Sequence, residues 1–212
     1  MTLSRLLVVF ALLVLSACGA AEPRWAGEAE VARARYVSDG SASLTLFTVI
    51  GKRSGAGAHS GLLVNAPSQR AIFDPAGTFK HPHLPERNDV VYGMSDAAVA
   101  FYIDYHARET FDVIEQTIFV SPQVAEFALA RIQSFGAVPK AQCARSISSI
   151  LASLPGFEDV KSTMFPKKLT AYFASRGAVE QMHRDDSPDD NTGLIQAPDL
   201  RLRGDLIATL TQ

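Results

Sequence analysis

The chain is short of cysteine, with two, and of tryptophan, with one; its 20 Lys and Arg against 22 Asp and Glu leave a formal net charge of −2 over 212 residues. Each shortage excludes a class. Two cysteines cannot build the multi-bridge framework that staples small secreted domains. A balanced charge without a basic stripe offers no electrostatic footprint for nucleic acid. No internal repeat marks a solenoid. The N-terminal apolar run, Leu6 to Leu15, covers about half of the roughly 20 residues a spanning helix needs, which makes a permanent transmembrane anchor the weaker reading.

The ends of the chain carry positive information. Arg5, the apolar run and the small residues after it read as an export signal. Leu15-Ser16-Ala17-Cys18 resembles a bacterial lipobox, which implies a signal peptide over 1–17, an acylated Cys18 as mature N-terminus and membrane lipid as a partner. Gly19 stands where an aspartate would retain a lipoprotein in the inner membrane, which favours an outer-membrane address at the periplasmic face. Residues 18–40 are then expected as a polar, lipidated tether whose Trp25 can dock on the domain or on the membrane interface. The remaining length suffices for one domain with a real core, expected over 41–178, and a polar, partly disordered tail is expected over 179–212.

Along the domain, SLTLFTVI (43–50), HSGLLV (59–64) and QRAIFD (69–74) read as three strands joined by KRSGAG and by the turn NAPS (65–68), a meander. Pro75 to Asp89 reads as a loop. Ser95 caps an expected helix in which Val99, Tyr102, Ile103 and His106 recur at helical spacing. Thr110 to Val120 reads as a longer strand, and Ser121-Pro122 opens a helix that Gly136 closes. The next helix starts near Cys143 and ends at Pro155-Gly156, with Ala144, Ile147, Ile150, Leu151 and Leu154 on one face; a short helix follows Pro166.

If Cys18 carries lipid, Cys143 has no intrachain partner, and a lone thiol in an oxidising compartment calls for a reason. The plain one is that Cys143 is a small buried hydrophobe. The reactive one is that a helix N-terminus and a nearby base make it a thiolate. Of five histidines, His59 is held most rigidly, because it opens a strand. With four loop residues at 65–68, Val64 faces Gln69 and His59 falls opposite Asp74, able to bond it; a five-residue loop puts the two on opposite faces. Asp74 can also simply start a turn at Pro75. Gln142 is a candidate for polarising a carbonyl, Arg145 and Ser146 for touching substrate, and His81 and His83 make a weak metal pair that reads better as surface loop.

AHSGLLV around His59, AIFD ending at Asp74 and KAQCARSISSIL around Cys143 together resemble the circularly permuted papain-like hydrolases, a group that includes NlpC-type permuted enzymes, YaeF/YiiX-like amidases and lecithin:retinol acyltransferase-like proteins. The resemblance covers roughly 43–154 and implies an α+β fold, with an antiparallel meander sheet packed on helices and the nucleophile opening a helix. It also implies a Cys143–His59–Asp74 mechanism on an amide or ester bond of the envelope, with no cofactor and no metal. Two departures stand out. Asp74 replaces the glutamate, histidine or amide often found there, and Ala144-Arg145 follows the cysteine where many relatives have a serine and an acidic residue. A binding scaffold without activity, and a redox- or metal-responsive thiol, are the competing expectations.

Overall fold

The computed structural model describes residues 20–184, so the signal segment, Cys18 and nearly all of the expected tail beyond β7 lie outside the described residues. The elements run α1 (Glu28–Ala34), β1 (Ser43–Gly51), β2 (Gly57–Asn65), β3 (Arg70–Phe73), β4 (Glu86–Arg87), β5 (Val90–Tyr92), α2 (Asp96–His106), β6 (Phe111–Phe119), α3 (Pro122–Phe135), α4 (Cys143–Leu151), α5 (Pro166–Ser175) and β7 (Val179–His183). The strands form one sheet in the order β4-β5-β3-β2-β1-β6-β7, antiparallel throughout. The chain is therefore α+β.

The central strands are apolar on both faces because both are covered. Leu44, Leu46, Leu62, Val64 and Phe73 pack against α3, α4 and α5. Phe47, Val49, Leu63 and Ile72 point the other way, onto α2 and Phe79. Helix α4 contributes Ala144, Ile147, Ile150 and Leu151, all without solvent exposure, and burying each large side chain stabilises by about 1.5–3 kcal/mol. Caps fall where the sequence puts them. Ser95 Oγ accepts from the Ala98 N–H at 3.2 Å, Ser121 Oγ from the Val124 N–H at 3.3 Å, and Gly136, at φ 90°, ends α3 in a conformation that suits glycine.

Three parts differ from expectation. Within the expected loop at 75–89, Glu86–Arg87 forms β4, and it pairs with β5 through the two-residue turn Asn88-Asp89, whose φ values of 45° and 66° are those of a type I′ hairpin. β7 extends the sheet past the expected boundary at 178, pairing Val179 to His183 with Thr117 to Val113 of β6. The lead at 20–40 is docked. Ala26 N–H donates to Glu86 O, Asn88 N–H to Arg24 O and Arg70 N–H to Tyr36 O. Trp25 stacks under the Arg87 guanidinium at 4.7 Å while remaining 68% exposed. Glu22 reaches Lys140, in the loop before α4, at 3.7 Å.

Candidate functional site

Strands β2 and β3 are joined by residues 66–69, and their pairs run from Asn65↔Arg70 to Leu62↔Phe73. One further step sets Asp74 opposite Gly61, not opposite His59 as the loop at 65–68 implied. The displacement is two residues, and because side chains alternate with a period of two, His59 and Asp74 keep the same face. Their side chains meet on the diagonal, Nε2 to Oδ1, at 2.7 Å.

Bare backbone at two glycines makes room for this contact. A Cβ on Gly61 would stand 2.3 Å from Tyr102 Oη, whose hydroxyl donates to the same Asp74 Oδ1 at 2.7 Å. A Cβ on Gly77 would stand 1.8 Å from Asp74 Oδ2. Gly77 closes a turn by donating to Asp74 O at 3.0 Å, with Pro75 second and Ala76 third at φ 57°, the type II pattern. The two readings of Asp74 thus coexist: its backbone starts a turn, and its side chain holds the imidazole.

Cys143 is the first residue of α4, after a left-handed Ala141 (φ 63°) and with Gln142 as N-cap. The helix packs on the sheet face opposite α2. Beyond Leu62, however, β2 no longer pairs with β3, and at that open edge the thiol meets the His59 ring and takes backbone hydrogen bonds from Ser60 and Ala144. Since Asp74 occupies Nε2, Nδ1 is the ring nitrogen left for sulfur.

The protonation equilibria agree. Burial opposes charge on His59, but the field and hydrogen bond of Asp74, helped by Cys143, raise its pKa to about 10. Burial would raise Asp74; the charge and hydrogen bond of His59 outweigh it and hold the carboxyl below its ordinary range. Burial would also raise the Cys143 thiol, and His59, then the Ser60 and Ala144 backbone, bring it below the usual value. All three shifts lean toward the charged forms, thiolate, imidazolium and carboxylate.

Helix α2 supplies two groups that sequence reasoning used only as markers of helical spacing. Besides Tyr102, one turn later His106 stacks on His59 with centroids 5.6 Å apart and planes within 10°. Its Nδ1 faces Tyr102 O at 2.9 Å, so Nδ1 carries the proton. Burial, opposed by Asp74 and reinforced by the charge on His59, lowers its pKa to about 4 and keeps it neutral. Asp89 is a third unforeseen participant. Its carbonyl accepts from Asp74 N–H at 2.8 Å, and its Oδ2 accepts from Val138 N–H at 2.7 Å and Ala76 N–H at 3.3 Å.

His59, Asp74 and His106 offer ligand atoms within 4.8 Å of one another. Near-parallel rings direct their nitrogens along separate planes, and Nε2 is already engaged, so the trio fits an acid–base role better than a metal centre. His81 and His83 join no such group among the described residues; His83 N–H donates to His81 Nδ1 at 3.1 Å. Gln142 is half-buried at the helix start, Arg145 is exposed, and Ser146 turns its hydroxyl to Cys143 O at 2.8 Å. A cavity of about 400 Å³ has His59, Thr78, Tyr105, His106, Arg108 and Phe111 in its wall. Cys143, 7% exposed, is not in that wall. Among the described residues no helix is long and apolar enough to cross a membrane.

No family model, curated protein or solved structure matches the chain.

Proposed function

We propose that the protein is a thiol-dependent hydrolase or acyltransferase of the circularly permuted papain-like kind, acting on an amide or ester bond at a bacterial envelope membrane to which Cys18 is anchored by lipid. The observation that carries this reading is the His59 Nε2–Asp74 Oδ1 bond of 2.7 Å with a thiol of lowered pKa at the other side of the ring. Cys143 Sγ attacks the acyl carbonyl, forming a carbon–sulfur bond. As the amine or alcohol leaves, it takes the proton from His59, and a thioester remains. Water, or a second nucleophile in a transferase, then gives its proton to His59 and releases the acyl group. Asp74 fixes the tautomer, while Tyr102 and His106 position the pair. The N–H groups at the start of α4, with Gln142 beside them, would receive the oxyanion.

The test is the rate of Cys143 alkylation by iodoacetamide against pH in the full chain, mapped by peptide mass, beside His59→Ala. The expected profile has its acid limb well below an ordinary thiol's and loses that shift in the variant. An ordinary limb in both proteins would remove the ion pair, and with it the mechanism. The 7% exposure of Cys143 favours a second reading, a scaffold that binds without turning over. It predicts a thiol that alkylates slowly at every pH.

A further inference from the structure

KSTMFPKK, residues 161–168, sets Met164 and Phe165 between lysines with no acid in the stretch. The fold leaves both apolar side chains in solvent, Met164 41% and Phe165 68% exposed. We propose that this loop is a membrane-contact wedge: Met164 and Phe165 enter the interface of an anionic lipid bilayer while the lysines engage its headgroups. The inference deepens the reading of the chain as membrane-anchored, adding a second contact beside the lipid on Cys18, and it does not depend on the chemistry of Cys143. Folding gives no reason for these residue types here. Phe165 is the N-cap of α5 yet its side chain caps nothing, and the first turn of that helix holds Lys167 and Lys168 and no acid. A serine or aspartate at the cap and acids in the first turn would stabilise the helix, whereas lysines there oppose its dipole. A break in local rules without a gain inside the fold marks a functional position.

The loop is held stiffly. Thr163 N–H donates to Ser148 Oγ at 3.2 Å, Phe165 N–H to Thr163 Oγ1 at 3.1 Å, and Lys167 Nζ to Gly55 O at 3.1 Å. Pro166 is buried against Gly57, where an added Cβ would stand 2.8 Å from Pro166 Cβ. Presenting the two apolar side chains therefore needs little further ordering. Gly57 lies two residues before His59 on β2, so the loop sits at the sheet end that also carries Cys143, Lys140 and the docked lead whose Glu22 pairs with Lys140. Trp25, also 68% exposed, borders the same end beside the Asn88-Asp89 turn. The charge fits a lipid surface. Arg53, exposed on the β1–β2 turn, joins Lys161, Lys167 and Lys168, against Glu109 on the neighbouring 107–110 turn. The acids that precede the loop are engaged, Glu158 Oε1 accepting from Gly156 N–H at 3.0 Å and Asp159 Oδ1 from Tyr172 Oη at 2.7 Å. An aromatic and a thioether set among cations match an anionic headgroup layer over an acyl boundary. Lysine is depleted at protein–protein interfaces, which argues against a protein occupant.

The test puts an indole at the wedge of the full chain, Phe165→Trp in a Trp25→Phe background that removes the single native tryptophan. The protein is bound to vesicles of mixed phosphatidylglycerol and phosphatidylcholine, or of phosphatidylcholine alone, each with and without lipid brominated on its acyl chains. In the anionic vesicles the emission should move to the blue and be quenched by the brominated lipid. Phe119→Trp in the same background, a site 64% exposed but at the far end of β6, should stay unquenched. Changing Lys161, Lys167 and Lys168 together to Gln should lower the inserted population about a hundredfold, at about fivefold per charge. Raising salt from about 0.1 to about 0.5 M should act in the same direction. Quenching absent at Phe165→Trp, equal at both positions, or unmoved by the lysine changes would overturn the wedge. Self-association without lipid that Phe165→Ser abolishes would assign the patch to a second copy of the chain and overturn it equally. Flotation of the same vesicles reads the lipid on Cys18 separately. A chain that floats with both compositions but is not quenched keeps the anchor and loses the wedge; one quenched in anionic vesicles that fails to float with neutral ones keeps the wedge and sinks the anchor.

Discussion

Asp74 Oδ1 accepts from His59 Nε2 and from Tyr102 Oη, each at 2.7 Å, so one buried oxygen carries two strong donors. Removing the phenol hydroxyl in Tyr102→Phe leaves the carboxylate with a single partner. The expected loss of stability is about 1.5–3 kcal/mol, the value of a hydrogen bond to a charged group, measured by denaturant unfolding. Activity should decline less than in Asp74→Asn, where the ring loses the partner that sets its tautomer and turnover should drop by about 10²-fold or more. If the proposed chemistry operates, turnover should begin to fail on the alkaline side only near pH 10, where His59 gives up the proton it must donate. An alkaline limb near 7 would contradict the Asp74 assignment. At this scale the contact between Cys143, His59 and Asp74, on which the proposed nucleophile and base depend, could be nominated from residue type and helix or strand position. Tyr102 and His106 could not, since an aromatic and a histidine one turn apart look like any half-buried helix face until the sheet is laid beneath them.

The elements place these groups by where pairing stops. β3 ends at Phe73, so from Gly61 back to Gly57 β2 is paired only with β1 and exposes the edge at which α4 delivers its thiol. Gly61→Ala would force a methyl to within 2.3 Å of Tyr102 Oη; it should rupture the Tyr102–Asp74 bond and raise the thiol's alkylation pKa toward the ordinary value. Unchanged alkylation in that variant would mean that Tyr102 does not support the carboxylate. Behind the thiol, Ile147→Ala should cost about 2–5 kcal/mol by opening a cavity in the core, with alkylation kinetics of the remaining folded protein preserved. Element existence was readable from alternation and caps, and only the hairpin loop slipped, from 65–68 to 66–69, without changing the face. The short β4, β5 and β7 were beyond reach for a physical reason: two, three and five residues hold too few alternations to register, and they exist because a neighbouring strand supplies their partners.

For the whole molecule, the site's buried charges should shape the dependence of stability on pH. His59, raised to about 10, stabilises fully below its ordinary 6.5, and that contribution is lost as pH climbs toward 10. His106, lowered to about 4, stabilises above 6.5 and loses its contribution as pH falls toward 4. Asp74, lowered, adds a further loss as pH drops below 3.8 and through its folded value. Cys143, lowered, gains stability as pH rises toward its ordinary value and offsets part of the His59 loss, so a broad maximum in melting temperature from pH 6.5 upward is expected. His59→Asn should flatten the alkaline slope and His106→Asn the acid one. A single flat profile across pH 5–9 in all three proteins would refute the shifts.

The docked lead has a consequence for where such an enzyme could work. Arg24 O is hydrogen-bonded to Asn88 N–H, next to Asp89, and Glu22 pairs with Lys140, three residues before the thiol. Cys18 precedes Ala20 by two residues, a reach of about 7 Å of extended chain. An acyl chain on Cys18 would therefore work as a very short leash, fastened at the rim of the site and not at the far pole of the domain. The corner that holds Cys143 and His59 would then be moored facing the lipid headgroups, and any substrate of the proposed enzyme would have to be one that is itself embedded in, or pressed against, the same leaflet.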